Sequence, residues 1–203
     1  MTSEESLIES YTLWKDEIDE RLKTFENKSK EDVKLEMVFC LCTPQSKAVK
    51  CWNAVLELRE TSRNIIIDAE NVLKKNNVRF CRKKAEYIRK AINEFECFYM
   101  WLLAALINAE TREDIIYVRN CIAKDIKGYG MKEASHFLRN IGYGDLAILD
   151  RHILNVMREL GIVVTGKYLE DERSLFEFSE RVGIPMEYLD LVFWKLKTGY
   201  IFK

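Results

Sequence analysis

Two residues in the segment GYGMKEASHFLRNIGYGDLAILD could do covalent chemistry: the amine of Lys132 and the carboxylate of Asp150, eighteen residues later. A neutral lysine amine attacks an electrophilic carbon and forms a Schiff base. A carboxylate stabilises positive charge as it develops, or assists deprotonation of the nucleophile. Just before the lysine stands Ile126-Lys-Gly-Tyr-Gly130. Gly128 and Gly130 permit a tight turn and leave no side chain between their N–H groups and a phosphate. The combination is an amine nucleophile, a carboxylate and a backbone phosphate cradle, which suits attack on a phosphate-bearing substrate such as the C1′ carbon of a deoxynucleotide.

These residues need helices to position them. All eight glycines fall in the last 76 residues, and the first 127 contain one proline, Pro44. That stretch, rich in Ala, Leu, Glu, Lys and Ile, reads as successive helices. The expected helices are roughly 4–26, 31–42, 46–61, 64–75, 80–92, 94–108, 112–126, 131–140, 151–160, 172–182 and 186–197, with no strand alternation. Thr111 to Asp114 resembles a capping box, Asp150 is placed as an N-cap, Pro185 fits the first position of a helix, and Gly161 and Gly183 sit where C-terminal caps belong. Residues 112–140 therefore read as helix, tight turn, helix. The second helix starts near Met131 and points its positive dipole end at the turn, and Ala134 is small where the two helices must approach. A helix N-terminus also disfavours the ammonium form of Lys132. The structural alternatives are a plain αα-turn, a surface lysine and a pure helix cap.

Composition sets the bounds. With 203 residues, 48% hydrophobic and 32% charged, the chain is globular and can bury a core. A net charge of −1 argues against a non-specific nucleic-acid coat. The charge is uneven, however: Lys74–Lys90 holds eight Lys/Arg and one Glu, whereas Met1–Lys30 holds eight Asp/Glu and five Lys/Arg. The basic stripe suits a partner bound on one face, or is a solvated helix face. The apolar run Cys97–Ile107 is too short for a bilayer and reads as a buried helix. The acidic N-terminus lacks the form of a signal peptide, so the expected location is cytoplasmic. The six cysteines match no metal-site or iron–sulfur spacing and read as buried free thiols.

The hairpin, Lys132, the glycine-rich Gly142-Tyr-Gly144 and Asp150 resemble, in that order, the helix-hairpin-helix superfamily of DNA glycosylases, although this loop lacks the superfamily's proline. KEASHFLRNIGYGDLAILDRHIL is similar to the second class of 8-oxoguanine DNA glycosylase/lyases of archaea and some bacteria. Cys42-Thr-Pro-Gln45, Arg79-Phe80 and Lys84-Ala-x-Tyr-Ile88 agree with that class. The resemblance covers roughly Glu36 to Lys203. The chain stops soon after Phe193-Trp194, without the four-cysteine cluster of the endonuclease III relatives.

The resemblance implies an all-α fold of two small helical subdomains with a DNA-binding cleft. The expected division is about 45–130 against about 1–44 plus 131–203, with the helix-hairpin-helix at 112–140. It further implies a bifunctional enzyme that excises 8-oxoguanine from double-stranded DNA and cleaves the strand through an imine on Lys132, with Asp150 assisting. Gly128 and Gly130 would hold one phosphate, and the amides of Arg151 and His152 another. Gln45 would fill the vacated stack or be an ordinary polar helix-start residue after Pro44. Trp194, and opposite it Phe80, would stack the flipped base, and the C-terminal carboxylate of Lys203 would accept a hydrogen bond from N7 of the lesion or belong to a frayed tail. No cofactor is required, though hairpin carbonyls could bind a monovalent cation. A single chain should suffice for catalysis, with no membrane partner. The alternatives are a related glycosylase/lyase for another damaged base and a non-catalytic hairpin module.

Overall fold

The structure, a computed structural model, describes residues 3–61 and 65–202. Among these the chain forms eleven α-helices and no strand: α1 (Glu4–Lys23), α2 (Lys30–Cys42), α3 (Ala48–Thr61), α4 (Ile65–Lys75), α5 (Cys81–Asn93), α6 (Phe95–Ile107), α7 (Arg112–Asp125), α8 (Met131–Asn140), α9 (Arg151–Glu159), α10 (Tyr168–Val182) and α11 (Met186–Thr198). The all-α expectation holds. Local chemistry sets most boundaries. Thr111 accepts from the Asp114 N–H while the Asp114 carboxylate accepts from the Thr111 N–H, the reciprocal capping box that opens α7. Ser29 and Asp32 do the same for α2. Gly183 closes α10 with φ +69°.

The chain divides into two compact units. One is Lys28–Phe137 with Phe202; the other is Met1–Asn27 with Leu138–Ile201. The sequence placed the divisions near 44 and 130 instead. The first unit takes in α2 because α2 packs on α3 and α5. Its C-terminal carbonyl, that of Cys42, accepts from Lys84 Nζ at 2.7 Å and from Cys51 Sγ at 3.1 Å. Leu35 to Cys42 are all buried, Glu36 among them, so the last two turns of α2 run through the interior while its charged first turn stays at the surface.

Three expectations need correction here. The apolar helix α6 is not buried: only Phe95, Leu102 and Leu106 are, while Cys97, Met100, Trp101, Leu103 and Ile107 are exposed. High apolar content does not reveal how many faces a neighbour covers. The thiols of Cys40, Cys42 and Cys51 are buried and free, but Cys97 is exposed. Pro185 is the N-cap of α11, not its first residue. No helix among the described residues is long and apolar enough to cross a membrane.

The second unit has its own core, in which Leu7 and Ile18 of α1 meet Val156 of α9, Phe178 of α10, and Leu189 and Phe193 of α11. Helix α10 starts four residues before the sequence signal at 172. The Asp171 carboxylate, inside the helix, accepts from the N–H groups of Thr165 (2.6 Å) and Gly166 (3.1 Å) and so folds the preceding turn.

Candidate active site

The hairpin turn, with α7 and α8 as far as Phe137, lies in the first unit. Helix α7 ends at Asp125, with Ile126 as C-cap, and α8 begins at Met131. The turn between them is closed by the Tyr129 N–H donating to the Ile126 carbonyl at 3.0 Å. Gly128 has φ +102°, and an added Cβ would collide with the Tyr87 ring. Both facts demand glycine there. Gly130 differs: its φ is not positive, and a Cβ would meet only the Glu133 carboxylate at 3.3 Å. The freedom expected of both glycines is therefore used by one. Tyr129 anchors the turn by donating its hydroxyl to the Met37 carbonyl at 2.9 Å, and burial holds that phenol well above its usual titration range. Ala134 is fully buried one turn into α8.

Lys132 stands in the first turn of α8, its side chain 24% exposed. Its ammonium lies 2.9 Å from Glu133 Oε1. Oε2 of the same carboxylate accepts from the Gly130 N–H at 3.1 Å. One carboxylate thus holds both the Lys132 amine and the Gly130 N–H, the donor expected to meet a phosphate. Sequence reasoning missed Glu133. Its signal was present, since a glutamate three residues after an N-cap reaches back to the cap's N–H.

Gln45 and Phe80 lie on two turns joined through Ser46. The Ser46 hydroxyl accepts from the Arg79 N–H at 3.0 Å and from Lys84 Nζ at 3.1 Å. Lys84 Nζ also donates to the Pro44 carbonyl at 2.7 Å. Burial pushes that ammonium below its usual value. Gln45 (φ +54°) and Phe80 (φ +58°) are both left-handed, a conformation unfavourable for side chains other than glycine, asparagine and aspartate. Both are exposed, Phe80 by 58%. Strained, exposed residues on a braced turn are candidates for function.

Asp150, Arg151, His152 and Trp194 lie in the second unit. Asp150 is the N-cap of α9; its Oδ1 accepts from the N–H groups of His152 (2.7 Å) and Ile153 (2.9 Å). The His152 amide, expected to meet a phosphate, donates to Asp150 in this structure. The His152 ring meets Trp194 edge-on, centroids 5.5 Å apart. Trp194 is partly exposed, whereas its neighbour Phe193 is buried in the core. The Trp194 indole N–H is buried without a hydrogen-bond partner among the described residues. Lys203 lies outside the described residues.

Asp190, one turn before Trp194 on α11, is a carboxylate that sequence reasoning did not single out as a site. It is buried and lies 3.2 Å from Arg139 Nη1 of α8. Burial pushes it up to about 6 against the pull of Arg139, and the charge of Asp150 adds to the rise. A charged residue within an apolar helix was the available sign. Among the described residues, no cluster of three or more His, Cys, Asp or Glu side chains could hold a metal ion.

An all-helical chain in which a glycine turn joins two helices, the second opening with a sheltered lysine, is a helix-hairpin-helix protein. Comparison with known proteins narrows that class. The chain belongs to the 8-oxoguanine DNA glycosylase family, which matches residues 15–184. It is 40% identical over 202 residues to the 8-oxoguanine DNA glycosylase/AP lyase of Fusobacterium nucleatum, covering 91% of this chain and 90% of that protein. Its identity to the enzyme of the same name from Methanocaldococcus jannaschii is 36%, covering 93% of each. Among solved structures, the M. jannaschii 8-oxoguanine glycosylase/lyase in complex with 15mer DNA containing 8-oxoguanine superposes with TM-score 0.80 at 33% identity, covering 97% of this chain and 99% of that one. The Thermotoga maritima 8-oxoguanine DNA glycosylase gives TM-score 0.80 at 28% identity, covering 98% of both chains.

Proposed function

We propose that this protein excises 8-oxoguanine from double-stranded DNA and then cleaves the strand, using Lys132 as the nucleophile. The observation that carries the reading is the position of Lys132, a sheltered amine in the first turn of the helix that follows the phosphate-binding turn.

Excision requires the damaged nucleotide to leave the stack, at a cost of a few kcal/mol. Gln45 fills the gap it leaves; its exposure on a braced turn supports that role. The turn at Gly128 and Gly130 holds a backbone phosphate, with its carbonyls available to a monovalent cation. The Arg151 amide, at the positive end of α9, holds a second phosphate. The flipped base stacks on Trp194, and Phe80 offers it a second aromatic surface; the unpartnered indole N–H gives Trp194 a donor as well as a π face. Lys132 attacks C1′ as the base departs. Asp150, its carboxylate held in place by two N–H groups, stabilises the positive charge on the sugar. The resulting imine allows β-elimination on the 3′ side of the lesion.

The test is incubation with a duplex carrying a single 8-oxoguanine, followed by identification of the released base and the cut ends. Free 8-oxoguanine with an unsaturated aldehyde at the 3′ end of the break is expected, and an undamaged duplex should stay intact. Release of a different damaged base, with 8-oxoguanine left in place, would reassign the substrate.

A further inference from the structure

The Lys132–Glu133 pair is not an ordinary helix ion pair. Such pairs join residues three or four apart, because neighbours in sequence diverge by about 100° around the axis. Here the two are adjacent. Glu133 reaches Lys132 because its side chain curls back over the first turn of α8 to cap Gly130. Its carboxylate is 13% exposed, with one oxygen on the amine and the other on the hairpin amide. A lysine that is to attack C1′ must first lose a proton, and at 2.9 Å Glu133 Oε1 is within transfer distance.

We propose that Glu133 is the proton acceptor for Lys132, and that a DNA phosphate docking at Gly130 triggers the transfer. The proposal rests on the reading of Lys132 as nucleophile. In this structure the carboxylate occupies a donor that the hairpin would offer to phosphate. An arriving phosphate takes that N–H, so Glu133 loses a hydrogen bond that favours its charged form. That loss favours transfer of a proton to the carboxylate.

The proton moves from Lys132 Nζ to Glu133 Oε1, and the freed lone pair forms the bond to C1′. The C1′–N9 electron pair leaves on the base, which takes the proton that the alkylated nitrogen sheds. Docking and nucleophile activation are thereby linked through one side chain, and the amine is freed when DNA is in place. Asp150 keeps its separate task at the sugar.

The experiment is single-turnover borohydride trapping at saturating DNA, on abasic and on 8-oxoguanine duplexes. Glu133→Gln keeps an oxygen that can accept from the Gly130 N–H, so the helix start is retained, but it cannot take the proton. Its trapping rate should fall by about 10²-fold or more, with DNA binding no weaker than wild type. Glu133→Ala should be equally slow and should recover rate on addition of formate, which a purely structural cap would not do. An unchanged rate in Glu133→Gln would overturn the proposal. So would a loss that formate leaves untouched in Glu133→Ala. The two readings fail separately. If wild type traps nothing, the Lys132 imine fails and this role with it. If wild type traps, Lys132→Gln does not and Glu133→Gln matches wild type, only the role of Glu133 fails.

Discussion

The guanidinium of Arg139 lies 3.2 Å from the carboxylate of Asp190, and both residues are buried. Arg139 also lies over the Phe25 ring at 4.9 Å. The pair ties the end of α8 to α11, the helix that carries Trp194. Burial nevertheless outweighs the arginine and pushes Asp190 up to about 6. The unfolded carboxyl titrates near 4, so the native state holds the proton more tightly. The Asp190 contribution to stability should therefore fall as pH rises from about 4 to about 6, by on the order of 2–3 kcal/mol. Asn at 190 cannot ionise. Melting curves across that range should show wild type losing stability relative to Asp190→Asn as pH rises, and a constant offset above it. A pH-independent difference would contradict this.

Gly128 and Gly130 are predicted to respond unequally. Gly128→Ala must place a side chain at φ +102° and drive its Cβ into the Tyr87 ring. It should cost about 1–3 kcal/mol and weaken DNA binding. Gly130→Ala meets only a carboxylate end at 3.3 Å and should cost less. Thermal unfolding and a DNA titration on both variants check the order, and a reversed order would contradict it.

Asp150 separates cap from charge. Asn caps a helix about as well as Asp, so Asp150→Asn should keep stability and slow base release by about 10²–10⁴-fold. Asp150→Ala should lose the rate and, in addition, about 1 kcal/mol of stability. Stability and single-turnover release measured together decide the matter. An Asn variant at wild-type rate would leave Asp150 a structural cap alone.

Lys84 and Gln45 should dissociate in the same way. Lys84→Met leaves the Cys42 and Pro44 carbonyls without their lysine donor and should cost about 1–3 kcal/mol, loosening the turn that carries Gln45. Gln45→Ala removes an exposed side chain, so stability should hold while release of 8-oxoguanine slows. Release at the wild-type rate would remove Gln45 from the gap-filling role.

What the sequence made legible was local. The GYG turn between amphipathic segments, the Thr111–Asp114 box and the Asp150 cap each depend on residues within a few positions of one another, and the structure has all three. The hidden features join distant positions. Lys84 braces a turn some forty residues away, and Arg139 meets Asp190 across 51 residues. No spacing rule foretells such pairs. Helix α6 shows a third limit: its composition predicts burial, but composition cannot say which faces have neighbours. Glu133 is local too, but its cap on Gly130 also brings it to Lys132, a contact between adjacent residues that helical spacing does not foretell.

The most direct test is borohydride trapping on a duplex carrying one 8-oxoguanine, with peptide mapping of the adduct and the Lys132→Gln variant alongside. The account predicts a covalent protein–DNA adduct carried by Lys132 in wild type and none in the variant, while the variant still binds DNA. An adduct mapped to another residue, or efficient base release by Lys132→Gln, would contradict it.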